Sequence, residues 1–276
     1  MRVSLLISTY NWPEALKLCL DSTLIQTKLP DEIVIADDGS KEETARLIKD
    51  FTSYSPVPVK HIWHEDNGFR LSAIRNKAIT ACTNEYIIQI DGDVILHRKF
   101  IQDHISVAKK GFFVRGTRVM LDKDFSDQIL ESSQIKFSFW QKGIRKRFNT
   151  IHFPALGKLL SSCYDGKTHK HIKGCNMAFW RDDLIKVNGY NEDIFEWGRE
   201  DNEIAARLIN SGVYKRVVKW AMVVYHIDHP VNSKDRLDKN SEILNEVLSK
   251  KLTWCENGLN KYTDPEFNSS YSLTAI

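Results

Sequence analysis

The sequence has 276 residues, 42% hydrophobic and 27% charged, which is enough for a sizeable core and excludes a small disulfide-stapled scaffold. Its formal net charge of +3 is too small to indicate a nucleic-acid partner for the whole molecule. The five cysteines form no C-x-x-C pair, which favours reduced thiols over a disulfide framework or a cysteine-based zinc site. No apolar run reaches the about 18 residues of a membrane span, and residues 3–7 are typical of a strand rather than a signal peptide. We therefore predict a cytoplasmic protein, and leave open peripheral contact with the inner face of a membrane.

The first ninety residues alternate strand-like and helix-like segments. Strands are predicted over residues 3–7, 33–36, 59–63 and 86–90. Asn11 with Glu14, and Ser40 with Glu43, have the spacing of capping boxes that open the first two helices. The third helix is predicted to begin at Ser72. This alternation predicts βαβ units, and therefore an α/β fold with a mainly parallel central sheet flanked by helices.

Polar clusters follow three of these strands. Thr9-Tyr10-Asn11 follows the first strand, Asp37-Asp38 the second and Asp91-Gly92-Asp93 the fourth. Because ligands bind at the carboxyl ends of the strands in such sheets, we expect the three clusters to converge on one crevice. Two carboxylates one residue apart behind a buried strand favour Mg²⁺ or Mn²⁺, ions that share their ligands with substrate phosphates. A plain Asp-Gly turn is the alternative.

The window 136–173 differs from the rest of the chain. It contains nine lysines and arginines and one acidic residue, a net charge of +8, together with the aromatic residues Phe137, Phe139, Trp140, Phe148 and Phe153. Either it is a solvated basic loop, or it is a mobile basic-aromatic flap that touches anionic lipid or a phosphate-bearing substrate. Beyond it, we predict a helix over 200–209, strand structure over 217–226, a packed helix over 233–252 and a loose polar tail after Asn257.

Four motifs give the sequence its resemblance to a known family. They are Ser8-Thr9-Tyr10-Asn11, Asp37-Asp38-Gly39-Ser40, Asp91-Gly92-Asp93 and Trp197-Gly198-Arg199-Glu200-Asp201-Asn202. In this order they resemble the family 2 inverting glycosyltransferases of the GT-A fold, the fold of nucleotide-diphospho-sugar transferases. The second half is similar to the galactosyltransferase-type C-terminal region that β-1,4-galactosyltransferases share with bacterial chondroitin-type polymerases. The resemblance covers residues 1–230 and implies a UDP-sugar donor.

The resemblance also implies a division of the chain into four parts. Residues 1–115 form the nucleotide-sugar-binding half of a GT-A domain, and residues 174–230 form its acceptor-binding and catalytic half. Residues 116–173 form a flap or insertion between them. Residues 231–276 form a C-terminal helix and tail.

The nucleotide is expected at the first two motifs. The resemblance implies that Thr9 and Tyr10 flank the uracil and that Asp37 accepts a hydrogen bond from the base imide, with Asn11 and Asp38 in the same site. An imide N–H is a donor, so a carboxylate suits that role. An Asx turn at the two aspartates, and simple packing of Tyr10, are the alternatives.

The donor sugar is expected beside Arg75, Asp91, Gly174 and Asn176. The resemblance places Arg75 where its planar fork bridges Asp91 or reaches the donor, and assigns Asp91 to ribose or sugar hydroxyls. A surface arginine is the alternative. Gly174 and Asn176 resemble a Gly-x-Asn-Met segment beneath the sugar, where glycine permits close approach and asparagine both donates and accepts.

The resemblance assigns metal ligation to Asp93 and His226. An imidazole beside carboxylates favours Mn²⁺, with Mg²⁺ as the alternative. His229 is either a neighbour in the site or a loop residue. The ion would stabilise the charge that grows on the UDP leaving group.

Asp201 is the candidate general base, because an inverting transfer needs a carboxylate to take the proton of the attacking hydroxyl. Glu200 then holds the acceptor, and Trp197 offers an apolar face to a sugar ring. The alternative is that both acids only stabilise a helix N-terminus. Arg199 departs from the family pattern, in which a second glycine is frequent.

We therefore predict a metal-dependent transferase that moves a hexose or N-acetylhexosamine to a saccharide acceptor, either free or lipid-linked, in bacterial surface polysaccharide synthesis. Nucleic acid is not an expected partner. Two alternatives stay open: a sugar-phosphate nucleotidyltransferase, and a catalytically silent sugar-binding or scaffold protein on the same fold.

Overall fold

The computed structural model describes residues 1–230 and 235–263. The strands are β1 (Val3–Thr9), β2 (Glu32–Asp37), β3 (Val59–Trp63), β4 (Tyr86–Asp91), β5 (Val94–Leu96), β6 (Phe112–Arg115), β7 (Thr117–Leu121), β8 (Ile144–Arg145), β9 (Asn176–Trp180), β10 (Tyr214–Val217) and β11 (Val223–His226). The helices are α1 (Pro13–Leu24), α2 (Glu42–Tyr54), α3 (Leu71–Ala81), α4 (Phe100–Val107), α5 (Lys123–Ser132), α6 (Pro154–Leu159), α7 (Arg181–Lys186), α8 (Glu200–Asn210) and α9 (Leu237–Lys250). Short 3₁₀ turns cover Arg147–Thr150, Leu160–Cys163 and Leu259–Tyr262.

The strands form two sheets. The larger has seven strands in the order β10-β6-β9-β4-β1-β2-β3, and the smaller has four in the order β5-β11-β7-β8. In the larger sheet β9 runs antiparallel to β4 and β6, and the other pairs are parallel. The predicted α/β fold with a mainly parallel sheet is therefore confirmed.

Alternation along β1 explains the layers. Leu5 and Ile7 pack into one hydrophobic core with Leu16 of α1, while Leu6 packs into a second core with Ile74 of α3. Because successive side chains of a strand point to opposite faces, one strand supplies both cores. Each fully buried leucine or isoleucine contributes roughly 1.5–3 kcal/mol. The sheet is thus fixed from both sides, and its carboxyl edge is left for polar side chains.

The capping-box predictions were wrong, although the helices form. The N-cap of α1 is Trp12 and that of α2 is Lys41, and neither makes a side-chain capping bond. Asn11 Oδ1 instead accepts from the Lys41 backbone N–H at 2.8 Å, and Ser40 Oγ accepts from the Asn11 backbone N–H at 2.8 Å. These side chains therefore join the loop after β1 to the loop after β2.

The window 136–173 is partly packed. Phe137 contacts the rings of Phe125 and Tyr225, whereas Trp140 and Phe148 are 78% and 73% exposed. Its first part therefore belongs to the core of the smaller sheet, and its middle part lies at the surface.

The C-terminal helix is confirmed over Leu237–Lys250, and the first predicted residues, up to 234, lie outside the described residues. The loose tail after Asn257 was wrong over residues 258–263, since Leu259 and Tyr262 are buried. Residues 264–276 lie outside the described part of the chain. Within 1–230 and 235–263, no helix combines the length and the apolar character needed to cross a membrane.

Candidate active site

A cavity of about 610 Å³ opens at the carboxyl edge of β1 and β4. Its lining includes eleven residues expected from the sequence: Thr9, Tyr10, Asp38, Arg75, Asp91, Asp93, Gly174, Trp197, Glu200, Asp201 and His226. They come from both halves of the chain. The convergence expected from the strand ends is therefore present, and α8 adds carboxylates from the second half.

Arg75 joins the two halves of the site. Its side chain is 1% exposed, and its Nη2 and Nη1 lie 2.9 Å from Asp91 Oδ1 and 3.1 Å from Asp201 Oδ1. Its Nε donates to Ser8 Oγ at 3.2 Å. The guanidinium thus holds carboxylates from β4 and α8 in fixed positions, since its donors form a rigid fork. The alternative of a surface arginine is excluded.

Burial, together with neighbouring carboxylates, raises the pKa of two carboxyl groups in the cavity. Burial is the largest cause for both Asp91 and Glu200, and Arg75 opposes the shift in each case. The neighbouring charge of Asp93 adds to the raised pKa of Asp91. Burial and the nearby Asp201 raise the pKa of Glu200 to about 7. Glu200 therefore changes its charge near neutral pH, as a general base or an acceptor-binding carboxylate can.

Gly174 is fitted to Asp201. A Cβ atom on residue 174 would overlap the carboxylate of Asp201. The Gly174 carbonyl also accepts from Gln89 Nε2 at 3.2 Å, which anchors this segment to β4. Glycine is therefore required at residue 174 for the observed position of Asp201.

Asp93, His226 and His229 form a cluster with metal-ligand chemistry. Their ligand atoms all lie within 4.8 Å of one another. The Nε2 atoms of His229 and His226 lie 3.0 Å and 3.6 Å from Asp93 Oδ2, and Asp93 Oδ1 is buried with no hydrogen-bond partner. The sequence left open whether His229 is a neighbour in the site or a loop residue. In the structure it lies within this cluster.

The two histidines have the orientation of metal ligands. His226 Nδ1 donates to the Ile227 carbonyl at 2.9 Å, and His229 Nδ1 donates to the Pro230 carbonyl at 2.8 Å. Such bonds fix the tautomer and leave Nε2 to ligate. Burial by itself would raise the pKa of Asp93, but the two histidines outweigh it and the pKa is lowered. The hydrogen bond to Asp93 raises the pKa of His229 to about 9. The cluster and its orphaned oxygen fit a divalent cation.

Three expected residues do not line the cavity. Asp37 is fully buried and bonds His61 Nε2 at 2.9 Å and the Ser40 backbone N–H at 2.8 Å. Asn176 is fully buried and donates to the carbonyls of Thr117 and Met222. Asn11 makes the loop contacts described above. The structure therefore gives Asp37 and Asn176 scaffold contacts in place of the predicted base and sugar contacts.

Asp38 occupies the position facing the cavity at the end of β2. Its Oδ1 contacts His64 Nε2 at 2.7 Å, and its Oδ2 accepts from the Arg70 backbone N–H at 2.9 Å. Arg118 of β7 and Lys173 also line the cavity, and neither was among the site residues predicted from the sequence. The alternation of Arg118 with Val119 was the only pattern that could have indicated which way its side chain points.

The backbone before α8 is unusual. Glu196, Gly198 and Arg199 have φ values of 60°, 108° and 79°. The left-handed region is favourable for glycine and costs other residues about 1 kcal/mol. This explains why a second glycine suits position 199. Arg199 Nε donates to Ser241 Oγ of α9 at 3.0 Å, which offsets part of that cost.

The sequence matches two family models. The model described as "Glycosyl transferase family 2" matches residues 4–185, more than half of the chain. The model described as "N-terminal domain of galactosyltransferase" matches residues 161–230, the segment that contains α8 and β11.

Curated relatives include polysaccharide synthases. The chain is 28% identical to a chondroitin synthase from Escherichia coli over 85% of its own length and 36% of that protein. It is 24% identical to a hyaluronan synthase from Pasteurella multocida over 96% of its own length and 29% of that protein. The chain thus spans about a third of the length of these relatives.

Solved structures show the same fold. A mannosyltransferase from Pyrobaculum calidifontis in complex with GDP-Man and Mn²⁺ matches with a TM-score of 0.57 and 18% identity, over 82% of this chain and 56% of that one. S. aureus TarS 1–349 in complex with UDP matches with a TM-score of 0.59 and 13% identity, over 88% and 64%. With its matched residues, motifs and sheet topology, the chain belongs to glycosyl transferase family 2 and has the GT-A fold.

Proposed function

We propose that the protein is a metal-dependent inverting transferase that moves a hexose or N-acetylhexosamine from a UDP-sugar to a saccharide hydroxyl in bacterial surface polysaccharide synthesis. The observation that carries this proposal is the shared cavity of Asp93, His226 and Asp201. A metal-ligand set and a separate carboxylate, held by Arg75 and facing the same volume, are the two parts that such a transfer needs. Their presence also argues against a catalytically silent sugar-binding protein.

The donor end lies at β1, β2 and β4. Asp93, His226 and His229 would hold the ion, for which we propose Mn²⁺, with Mg²⁺ as the alternative because carboxylate oxygens bind both. The bound ion supplies Lewis-acid stabilisation of the leaving diphosphate. Thr9, Tyr10 and Asp38 line the cavity beyond this cluster and are proposed to hold the nucleotide.

Asp201 is the proposed general base. Arg75 holds Oδ1, so the carboxylate keeps one orientation while the acceptor hydroxyl gives up its proton and attacks the anomeric carbon. Glu200 and Trp197 line the same end and are proposed to bind the acceptor. Glu200 is also the rival base, because its pKa of about 7 suits proton transfer at neutral pH.

The first test is UDP release from a panel of UDP-sugars, with Mn²⁺, with Mg²⁺ and with EDTA. Release from one donor that depends on the ion would support the proposal and identify the sugar. Release that is equal in EDTA, or UDP binding that ignores the ion, would contradict the metal dependence. If no UDP-sugar released UDP but a GDP-sugar were turned over, the donor nucleotide in the proposal would be GDP instead of UDP.

We also propose peripheral contact with an anionic membrane through the window 136–173, which suits a lipid-linked acceptor. Trp140, Phe148 and Leu159 are 78%, 73% and 74% exposed within a segment of net charge +8. Exposed aromatic side chains among lysines and arginines are typical of surfaces that bind anionic lipid. All five cysteines are free, which supports the cytoplasmic face as the location.

Vesicle sedimentation tests this contact. The protein should sediment with vesicles of phosphatidylcholine and phosphatidylglycerol, and not with phosphatidylcholine alone. Trp140→Ser with Phe148→Ser should lower the bound fraction. Trp254→Ser, at an exposed tryptophan outside the window, is the matched control. If all variants bound the vesicles equally, the window 136–173 would not be the membrane contact. The proposed transfer reaction would be unaffected.

A further inference from the structure

We propose a second metal site, outside the cavity, formed by His97, Asp103 and His152. One ligand atom from each residue lies within 4.8 Å of the other two. None of the three lines the cavity. His97 follows β5, Asp103 is in α4 and His152 precedes α6, so three separate segments contribute. This proposal is independent of the transfer reaction.

The carboxylate is buried and already oriented. The Asp103 side chain is 5% exposed, and its Oδ1 and Oδ2 lie 3.1 Å and 2.8 Å from His152 Nε2. Asp103 Oδ2 also accepts from the Met222 backbone N–H at 2.9 Å. A ligand held by a second contact of this kind loses little freedom when an ion binds.

The second imidazole is close to the first. The His97 and His152 rings stack with centroids 4.5 Å apart and an interplanar angle of 21°. The Lys99 backbone N–H approaches His97 Nδ1 at 3.4 Å, a long contact that gives way when the ring ligates. One ring nitrogen of His97 therefore already lies within 4.8 Å of the ligand atoms of Asp103 and His152.

The donor set identifies the class of ion. Two imidazole nitrogens and one carboxylate oxygen are the ligands of three-residue zinc sites that keep a fourth position for water. Such a set binds Zn²⁺ more tightly than Mg²⁺ or Mn²⁺. The cavity cluster has the same three donors, but it opens into the volume proposed for the diphosphate, whose oxygens favour Mn²⁺ or Mg²⁺. Arg98 and Lys99 follow His97 in the chain, and their positive charge lowers the affinity for a dication.

Zinc at this site would connect the window 136–173 to the body of the protein. Phe153, next to His152, already donates its backbone N–H to the Trp220 carbonyl at 2.8 Å. The ion would add a bond to α4 and another to the end of β5. The exposed segment that precedes His152 is then fixed at its C-terminal end.

The test uses tag-free protein with Asp93→Ala and His229→Ala, which removes the cavity cluster. Zinc titration by calorimetry should show one equivalent bound. Adding His97→Ala or His152→Ala should weaken the affinity by about tenfold or more. His171→Ala, at an exposed histidine near the same window, should change nothing. Absence of zinc binding, or equal affinity in all these variants, would show a hydrogen-bonded His–Asp pair with no metal role.

Two further measurements separate ligation from folding. Zinc should raise the Tm of the background protein and not that of its His152→Ala form, because an ion that binds only the folded state stabilises it. Zinc should also slow tryptic cleavage at the exposed Lys142, Arg145 and Lys146. If His152→Ala fails to fold, His97→Asn provides the same comparison at a half-buried position. If zinc raised the Tm and slowed tryptic cleavage as much in the His97 variants as in the background protein, the proposal would be overturned.

Discussion

Gly174 and Asp201 fit together so closely that a single added carbon atom at residue 174 would occupy the space of the carboxylate. The two residues are 27 positions apart, on the segment before β9 and on α8. Asp201 is also held from its other side by Arg75. The position of Asp201, the proposed base, thus depends on the absence of a side chain at Gly174 as much as on the ion pair with Arg75.

Gly174→Ala should therefore displace Asp201 and lower kcat by about 10²-fold, because a misplacement of about 1 Å has that effect on a reacting group. Binding of UDP should be retained, since the proposed nucleotide contacts of Thr9, Tyr10 and Asp38 lie at the ends of β1 and β2. Steady-state kinetics and UDP calorimetry measure the two effects. Gly111→Ala is the control for loss of stability, because the added carbon has open space there and only the φ of 78° is unfavourable. Wild-type kcat in Gly174→Ala would show that Asp201 is not placed by this contact.

Arg75→Met should destabilise the protein by about 3 kcal/mol, at the low end for breaking a buried ion pair, because its partners Asp91 and Asp201 are 32% and 20% exposed. Arg75→Lys should recover part of the loss, since an ammonium reaches one carboxylate but not both. Urea unfolding at neutral pH measures these values. Arg46→Met, at an exposed helix pair, should change stability by less than about 0.5 kcal/mol. Equal losses at the two arginines would deny Arg75 its structural role.

Asp93→Ala should abolish the dependence of UDP affinity on Mn²⁺, while Asp201→Asn should bind UDP normally and lose transfer. The first variant removes a proposed metal ligand and the second removes only the proposed base. Calorimetry with and without EDTA, followed by a transfer assay, distinguishes them. Asp127→Asn, an exposed surface acid, is the control. Turnover by Asp201→Asn together with loss in Glu200→Gln would transfer the role of base to Glu200.

The charge of Glu200 gives a pH prediction. Its folded pKa of about 7 lies above the ordinary value of 4.5, so between these pH values the folded protein holds a proton that the unfolded chain has released. The stability contributed at this residue therefore falls as pH rises through that window. Wild-type protein in EDTA should lose stability relative to Glu200→Gln from pH 4.5 to 7, and the difference should level off above it. Parallel stability curves for the two proteins would contradict the raised pKa.

Arg199 tests the strained turn before α8. Arg199→Ala keeps the φ of 79° unfavourable and loses the bond to Ser241, so stability should fall by about 1 kcal/mol. Arg199→Gly loses the same bond but relieves the backbone strain, so its stability should stay close to wild type. Thermal unfolding in the same buffer compares the two. A glycine variant as unstable as the alanine variant would remove backbone strain from the explanation.

The sequence predicted the strands and the crevice because apolar runs and strand ends are local patterns. It could not separate Asp37 from Asp38, since these neighbours point in opposite directions and the sheet register decides which one faces the cavity. The register likewise buries Asn176 of β9 away from the cavity lining. Arg118 and the cluster partner His229 depend on β7 and β11 pairing across about a hundred residues, a contact that no local pattern encodes. The failed capping boxes had the right spacing, but their side chains found partners in another loop.

Those partners have a consequence for how the nucleotide end of the site can move. The Asn11 backbone N–H donates to Ser40 Oγ, Asn11 Oδ1 accepts from the Lys41 backbone N–H, and the Asp38 N–H donates to the Thr9 carbonyl at 3.0 Å beside them. Neither loop can swing outward alone without breaking this short ladder. The two loops therefore move as one rigid unit, so the proposed nucleotide site is already formed before a nucleotide binds. A substitution in either loop should also shift the residues of the other loop.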